Sequence, residues 1–376
     1  MRAFEVVFVG AGASALMAAG RFKNRDIVLL EANDKAAKKI EISGGGRCNI
    51  TNRNLSFENY LGDKIFIDKV LNTFNRDDLL TYLKERGLFA LVRKGDQYFC
   101  PKSSKELINL LLKDISPKRI YTNRKVSGLK KKGEDFIIST QKEQFRAKKV
   151  VVASGGASYG SLGASRIAYE IAYGFGHSVV TPTPALVGLT LQKEQFWMKE
   201  LSGISLEVKI KILSKEIRGD LLFAHRGVTG PAILNASLYW QKGAFEIDFI
   251  PDIDLDDNFF KTKKEFVSAL GLPKRFVRAF LETVGVKNQA LYKLSEKEKN
   301  AFKNIKSYRF APAGNFGFSK AEVTKGGVCT DEIDADTMMS KKCEGLFFLG
   351  ECLNVTGELG GYNFQWAFST AHALKL

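Results

Sequence analysis

The chain begins with a short apolar strand that breaks into a glycine turn and re-forms as a helix. Residues 4–9 are apolar apart from Glu5. Gly10-Ala11-Gly12-Ala13-Ser14-Ala15 follows, and Leu16, Met17, Ala18, Ala19 and Phe22 then recur at helical spacing. No other feature limits the possible folds as much. In a GxGxxA turn the first glycine allows the sharp reversal and the second lets backbone approach a pyrophosphate. A small third residue lets helix pack on strand, so the roles fall to Gly10, Gly12 and Ala15. The free N–H groups at the helix start and the positive end of its dipole suit phosphate. Residues 27–30 (Ile-Val-Leu-Leu) read as the next strand, and Glu31 closes it. A carboxylate there accepts hydrogen bonds from ribose hydroxyls and repels a 2′-phosphate. The expected fold class is α/β, with a Rossmann-like dinucleotide-binding domain at the front of the chain.

The turn alone does not distinguish FAD from NAD, and three later stretches favour FAD. Ile42-Ser43-Gly44-Gly45-Gly46-Arg47-Cys48-Asn49 brings bare backbone to a ligand and sets Arg47 to meet an anionic oxygen. Residues 150–152 form an apolar strand that ends in the small residues Ala153, Ser154, Gly155 and Gly156. Residues 346–349 form another, ending in Gly350-Glu351, where the carboxylate suits a ribityl hydroxyl. Beyond it, Gly360-Gly361-Tyr362-Asn363-Phe364-Gln365-Trp366-Ala367 starts a helix whose N-terminus can direct N–H groups at the electron-rich edge of an isoalloxazine.

Together these stretches resemble the two-dinucleotide-binding-domain flavoproteins, and within them the YhiN-like (BaiN/RdsA) NAD(P)/FAD-dependent oxidoreductases. The likeness lies in GAGASALMAA, ISGGGRCNITN, ASGGASYG, FAHRGVTGPAIL, TKGGV and LGECLNVTGELGGYNFQWAFSTA, which are spread over most of the chain. The resemblance implies FAD contacts at Ala13, Ser14, Glu31, Lys38, Lys39, Gly45, Arg47, Cys48, Val126, Ala153, Gly155, Gly350, Glu351, Asn363 and Gln365. The residue reading adds Gly10, Gly12, Ala15, Ser154, Gly361 and Tyr362. Residues 161–166 depart from the glycine-rich, acid-containing form usual in the family, and Lys38-Lys39 stands where Arg-Lys is more usual.

A chain of 376 residues exceeds what one core usually holds. Residues 1–187 are expected to form most of the FAD domain and 311–376 to complete it. Residues 188–255, where Leu206, Val208, Ile210 and Ile212 alternate with polar residues, suit an inserted β-barrel-like domain. Residues 256–310 suit a small basic helical domain, with Phe266, Leu270, Phe276, Phe280 and Leu281 at helical spacing. The family shares this three-part architecture. A β-ribbon is expected over 126–129 and 136–139, with Lys130-Lys131-Lys132-Gly133 as its turn. Thr181-Pro182-Thr183-Pro184 is expected to break regular structure at the exit from the FAD domain.

Charge points to a partner. The formal net charge is +16, and residues 35–150 carry 26 basic against 13 acidic side chains while residues 261–309 carry 13 against 4. Such an excess suits a polyanion such as RNA, though a lysine-coated surface would look the same. No apolar run reaches the length of a membrane span and no secretory leader pattern is present, so the expected location is cytoplasmic. Five cysteines without a CxxC pair argue against a disulfide framework, a zinc site or a dithiol flavoprotein reductase, and no metal is expected.

Two side chains are candidates for chemistry. His225 lies in a glycine-bounded segment and suits substrate contact or proton transfer. Cys48 lies next to the flavin by motif and suits proton donation, or simply fills space there. His177 and His372 read as structural. With no second GxGxxG after a strand, NADH or NADPH would visit the flavin transiently, in ping-pong order. The leading expectation, implied by the resemblance, is NAD(P)H-driven reduction of a C=C bond, with uridine in 23S rRNA as substrate. One alternative is a small-molecule amine oxidase or an enoyl or steroid-type reductase. Another is an RNA-binding factor whose FAD is structural.

Overall fold

A computed structural model describes residues 1–376 apart from the side chain of Lys94. It resolves into two compact units, Met1–Pro184 with Glu322–Leu376, and Ala185–Ala321.

The first unit is built on a parallel sheet. Its strands lie in the spatial order Ile120–Tyr121, Ile27–Leu30, Arg2–Val9, Gln144–Val152 and Leu346–Phe348. In chain order this is 3-2-1-4-5, the doubly wound dinucleotide arrangement. The last strand pairs Leu346 with Val150 and Phe348 with Val152, so the end of the chain completes the sheet that its beginning opened. Val6, Val7, Phe8 and all of Ile27–Leu30 are buried, as expected of strands covered on both faces. The helices Ala13–Arg21 and Tyr362–Ala373 lie together, joined where the Arg21 guanidinium donates to the Ala371 carbonyl.

Two expectations need correction. The lysines 130–132 are in the strand Val126–Lys132, facing Ile137, Phe136 and Asp135 across a hairpin, and the turn is Gly133-Glu134. A two-residue turn with glycine at φ +61° suffices, and lysines suit an exposed strand. Residues 181–184 do not break structure either. They lie in the strand Val179–Ala185, which pairs only with Val323–Val328. An edge strand tolerates proline because one row of its N–H groups needs no partner.

The second unit holds an antiparallel sheet of seven strands, from Tyr308–Phe310 at one end to Gly314–Asn315 at the other. Its longest pairing joins Ser205–Ile212 to Lys215–Ala224, and Leu206, Val208, Ile210 and Ile212 are buried as the alternation requires. The helical stretch does not stand apart from this sheet. Phe276 and Phe280 of the helix Lys274–Thr283 pack on Phe249, Trp197 and Tyr308, with ring centroids 5.1–6.4 Å apart.

Candidate functional site

The site lies where the parallel strands end. Gly10 has φ +104°, and a Cβ there would stand 2.7 Å from the Ala153 carbonyl oxygen. Only glycine lets the first turn pass the end of the neighbouring strand. Glu31 is 8% exposed and its carboxylate is fixed by three donors. The Ala11 N–H reaches Oε2 at 2.9 Å, while the Asn33 N–H and Nδ2 reach Oε1 at 2.9 and 2.7 Å. Beside it lies a crevice open to solvent, lined by Gly10, Glu31, Val126, Ser154 and Ser165 among others. The Ser154 Oγ is buried with no protein partner. Buried polar atoms without partners are rare in folded proteins. A dinucleotide fits these residues: its ribose hydroxyls match Glu31, its polar atoms can satisfy Ser154, and its pyrophosphate matches the bare backbone at Gly12, where a Cβ would meet nothing within 4 Å.

A second corner forms at the end of the last parallel strand. Gly350 has φ +71°, and a Cβ there would be 3.0 Å from Ser14 Oγ, so this turn touches the first helix. It is held from below by the C-terminal helix, with Gly350 N–H donating to Thr370 Oγ1 at 3.1 Å and Trp366 Nε1 donating to the Gly350 carbonyl at 3.2 Å. Next to it, Glu351 accepts from Lys39 Nζ at 2.7 Å and from the Thr324 N–H at 2.9 Å. Thr324 Oγ1 in turn accepts the N–H groups of Ala157 and Ser158 at 2.9 and 3.0 Å. Thr324 thus ties the Ala157-Ser158 bend, just after Gly155-Gly156, to Glu351. Residue reading did not single it out, although its TKGGV segment carries part of the resemblance. Lys38 is drawn to Asp34 at 2.7 Å, within its own segment.

The glycine loop presents backbone as expected. Gly44, Gly45 and Gly46 have φ of 56°, 65° and 83°, and Gly45 and Arg47 are exposed. The start of the C-terminal helix is committed more to the protein. Asn363 exchanges both amide hydrogen bonds with Gly357, closing the loop before the helix. Gln365 is fully buried, accepting from Thr51 Oγ1 at 2.7 Å and donating to the Phe74 carbonyl at 2.9 Å, so its side chain braces the core. Burial, then Glu358, pushes the Tyr362 hydroxyl up to about 12, and its carbonyl takes the Tyr60 hydroxyl at 2.8 Å. Gly361 has φ +95° at the helix cap, packed against Thr51.

The chemistry candidates fall in different places. Cys48 is buried against Cys100. That contact, followed by burial, pushes its thiol well above the usual range. His225 belongs to the second unit, exposed at a two-residue hairpin turn between Ala224 and Gly227. Beside it, Arg226 lies over the Phe316 ring. The other two histidines are structural. His372 stacks on Phe74 at 3.5 Å, and burial lowers it to about 4. His177 is hydrogen-bonded through Nε2 to Ser340 Oγ at 2.7 Å, and its Nδ1 stands 3.2 Å from Glu332 Oε2 without a hydrogen bond. The arrangement is no nucleophile triad, because Ser340 is 2% exposed and its Oγ already accepts the Lys342 and Cys343 N–H groups. Burial works against ionisation of Glu332, but Lys342 and the Ser178 donors outweigh it and bring the carboxyl down to about 2.

Comparison with known proteins agrees with this geometry. The HI0933-like protein Rossmann domain matches residues 4–374. The ribosomal RNA dihydrouridine synthase of Haemophilus influenzae is 34% identical, aligned over 99% of this chain and 98% of its own. That of Escherichia coli is 33% identical over 99% and 97%. A 3-dehydro-bile acid delta(4,6)-reductase of Clostridium scindens is 30% identical over 98% and 97%. Among solved structures, a 3-ketosteroid-delta4-(5alpha)-dehydrogenase of Rhodococcus jostii matches with a TM-score of 0.52 at 13% identity, over all of this chain and 97% of that one. The last likeness concerns the fold alone. By its sheet, its crevice and its relatives over nearly full length, the chain belongs to the HI0933-like Rossmann family and is an FAD-dependent oxidoreductase.

Proposed function

We propose that this enzyme uses NAD(P)H to saturate a C=C bond, and that its substrate is a uridine of 23S rRNA. The observation that carries the reading is the full-length relation to two ribosomal RNA dihydrouridine synthases. The net charge of +16 supports it, since a basic protein gains affinity for RNA by releasing counterions. Hydride transfer between a nicotinamide and the electron-poor carbon of the double bond is the chemistry that bound FAD would supply. The chain's own residues bind and orient. Glu31 and Ser154 hold the ribose end, Gly12 admits the pyrophosphate, and Glu351, fixed by Lys39 and Thr324, holds the ribityl chain. The Ser43–Cys48 loop and the cap at Gly361 shape the flavin end. His225, exposed on its hairpin, is our candidate for substrate contact. A base inside folded RNA would have to leave its stack to be reduced.

Mapping reduced nucleosides in rRNA from strains with and without the gene tests the assignment. Loss of one dihydrouridine on deletion, restored by the wild-type gene, is the expected result. An unchanged modification profile refutes the substrate. The bile-acid reductase relative favours a second reading, a small-molecule ene-reductase. It requires turnover that needs no RNA and is insensitive to salt.

A further inference from the structure

The sequence contains no closely spaced cysteine pair, but the fold makes one. Cys48 ends the glycine loop, and Cys100 follows the strand Gln97–Phe99. Asn49 pairs with Phe99 at the end of an antiparallel ladder, and just outside it the chain turns at Cys48, φ +46°, alongside Cys100. The backbone agrees: the Cys100 N–H reaches the Arg47 and Cys48 carbonyls at 3.1 and 3.3 Å. Residues joined by backbone hydrogen bonds between neighbouring antiparallel segments have Cα atoms about 4.5–5.5 Å apart. That separation falls within the roughly 4.4–6.8 Å that a disulfide spans. Both cysteines are free thiols and both are fully buried. The other three cysteines, Cys329, Cys343 and Cys352, have no such partner thiol among the described contacts.

We propose that Cys48 and Cys100 are a redox pair that closes to a disulfide when the protein meets hydrogen peroxide, pinning the Ser43–Cys48 loop to the strand Gln97–Phe99. The two sulfurs have different parts. The closeness of the two thiols pushes Cys48 up and brings Cys100 down, so the thiolate forms more readily at Cys100. The Cys100 thiolate attacks one peroxide oxygen, the O–O bond breaks, and the leaving hydroxide takes a proton to become water. The product is a sulfenic acid at Cys100. The Cys48 sulfur then attacks the Cys100 sulfur, its proton leaves with the sulfenic hydroxyl as a second water, and the S–S bond forms. Overall, two thiols lose two protons and two electrons while one peroxide becomes two waters. Entry is the slow step, because both sulfurs are covered. The segment leading to Cys48 is Gly44-Gly45-Gly46, with Gly44 and Gly45 exposed, which leaves few side chains in the way of a molecule little larger than water. The proposal does not depend on the flavin or the substrate, so it stands or falls apart from the proposed function.

The purified full-length protein is exposed to hydrogen peroxide, denatured in the presence of iodoacetamide, digested without reductant and read by mass spectrometry. The expected product is one cross-linked peptide joining Cys48 to Cys100, lost on reduction with dithiothreitol, while Cys329 and Cys343 are recovered alkylated. In Cys100→Ser, Cys48 should be recovered as an alkylated thiol at every dose. Full alkylation of Cys48 and Cys100 in the treated wild-type protein would overturn the proposal. So would separate oxidation of either sulfur to sulfinic acid, or a link from Cys48 to a different cysteine. The wild-type measurement decides even if the variant does not fold.

Discussion

Glu351 gives the sharpest test of where the flavin lies. Glu351→Gln keeps the shape of the side chain and leaves one oxygen for the Thr324 N–H, now 2.9 Å away. It removes the charge that holds Lys39 at 2.7 Å. The two side chains are 18% and 37% exposed, between the surface and buried limits. Exposed pairs are worth about 0.2–1 kcal/mol, and breaking a buried pair costs roughly 3–5. Lys39 can turn to water, so the substitution should cost the fold about 1 kcal/mol. FAD binding should lose more. A hydroxyl that donates to a carboxylate gains about 1.5–3 kcal/mol, and an amide oxygen keeps only part of this. A net loss of about 1.5 kcal/mol corresponds to a Kd raised roughly tenfold. Titrating the apoprotein with FAD, followed by flavin fluorescence, measures the second quantity, and urea unfolding measures the first. The refuting result is specific. If unfolding loses about 1 kcal/mol while FAD affinity stays the same, Glu351 serves only Lys39 and Thr324, and the ribityl chain lies elsewhere.

Two glycines two residues apart should separate folding from binding. Gly10→Ala forces a Cβ to 2.7 Å from the Ala153 oxygen at φ +104°, and should lose about 2–4 kcal/mol in urea unfolding. Gly12→Ala meets nothing within 4 Å and should unfold within about 0.5 kcal/mol of wild type, yet bind FAD far more weakly because its methyl stands where the pyrophosphate approaches; wild-type affinity in that variant would remove the pyrophosphate from this turn. His372, lowered to about 4 by burial, stays neutral in the fold but gains a proton near pH 6.5 when unfolded. Between those values the unfolded chain binds more protons, so stability falls as pH drops, by about 2 kcal/mol from pH 7 to 5. In His372→Phe, unfolding curves at the two pH values should lose that difference.

What the sequence makes legible here is local. The strand and turn at residues 4–15, the acid at Glu31 and the apolar run ending at Gly350-Glu351 each carry their pattern in a few consecutive residues, and each lands where the pattern implies. The lysines at 130–132 resemble a turn because they are a charged run next to glycine, and only the register against Ile137, Phe136 and Asp135 shows them to be strand. Gln365 shows the opposite limit. Its motif sets it at a ligand, while Thr51 and Phe74, brought near by the fold, claim its amide. The same reason hides the pairing of Cys48 with Cys100 and the bridge from Thr324 to Glu351. They depend on strands meeting across long stretches of chain, and no spacing rule encodes that.

The split of the first unit also has a physical logic. Its fourth and fifth parallel strands are neighbours, pairing Val152 with Phe348, although all of Ala185–Ala321 lies between them in the chain. Loop-closure entropy grows only with the logarithm of length, so a long connection costs little more than a moderate one. The larger demand is that the two ends of the insertion emerge side by side. The ribbon of Val179–Ala185 with Val323–Val328 meets it, because paired strands hold the outgoing and returning chain next to each other. The returning strand contains Thr324, which accepts from the Ala157 and Ser158 N–H groups and donates to Glu351. The strand that brings the chain back from the insertion is therefore also the one that fixes the carboxylate proposed for the flavin, so Thr324→Val should weaken FAD binding and loosen the ribbon together, by an amount set by two unsatisfied N–H groups, roughly 2–4 kcal/mol in unfolding.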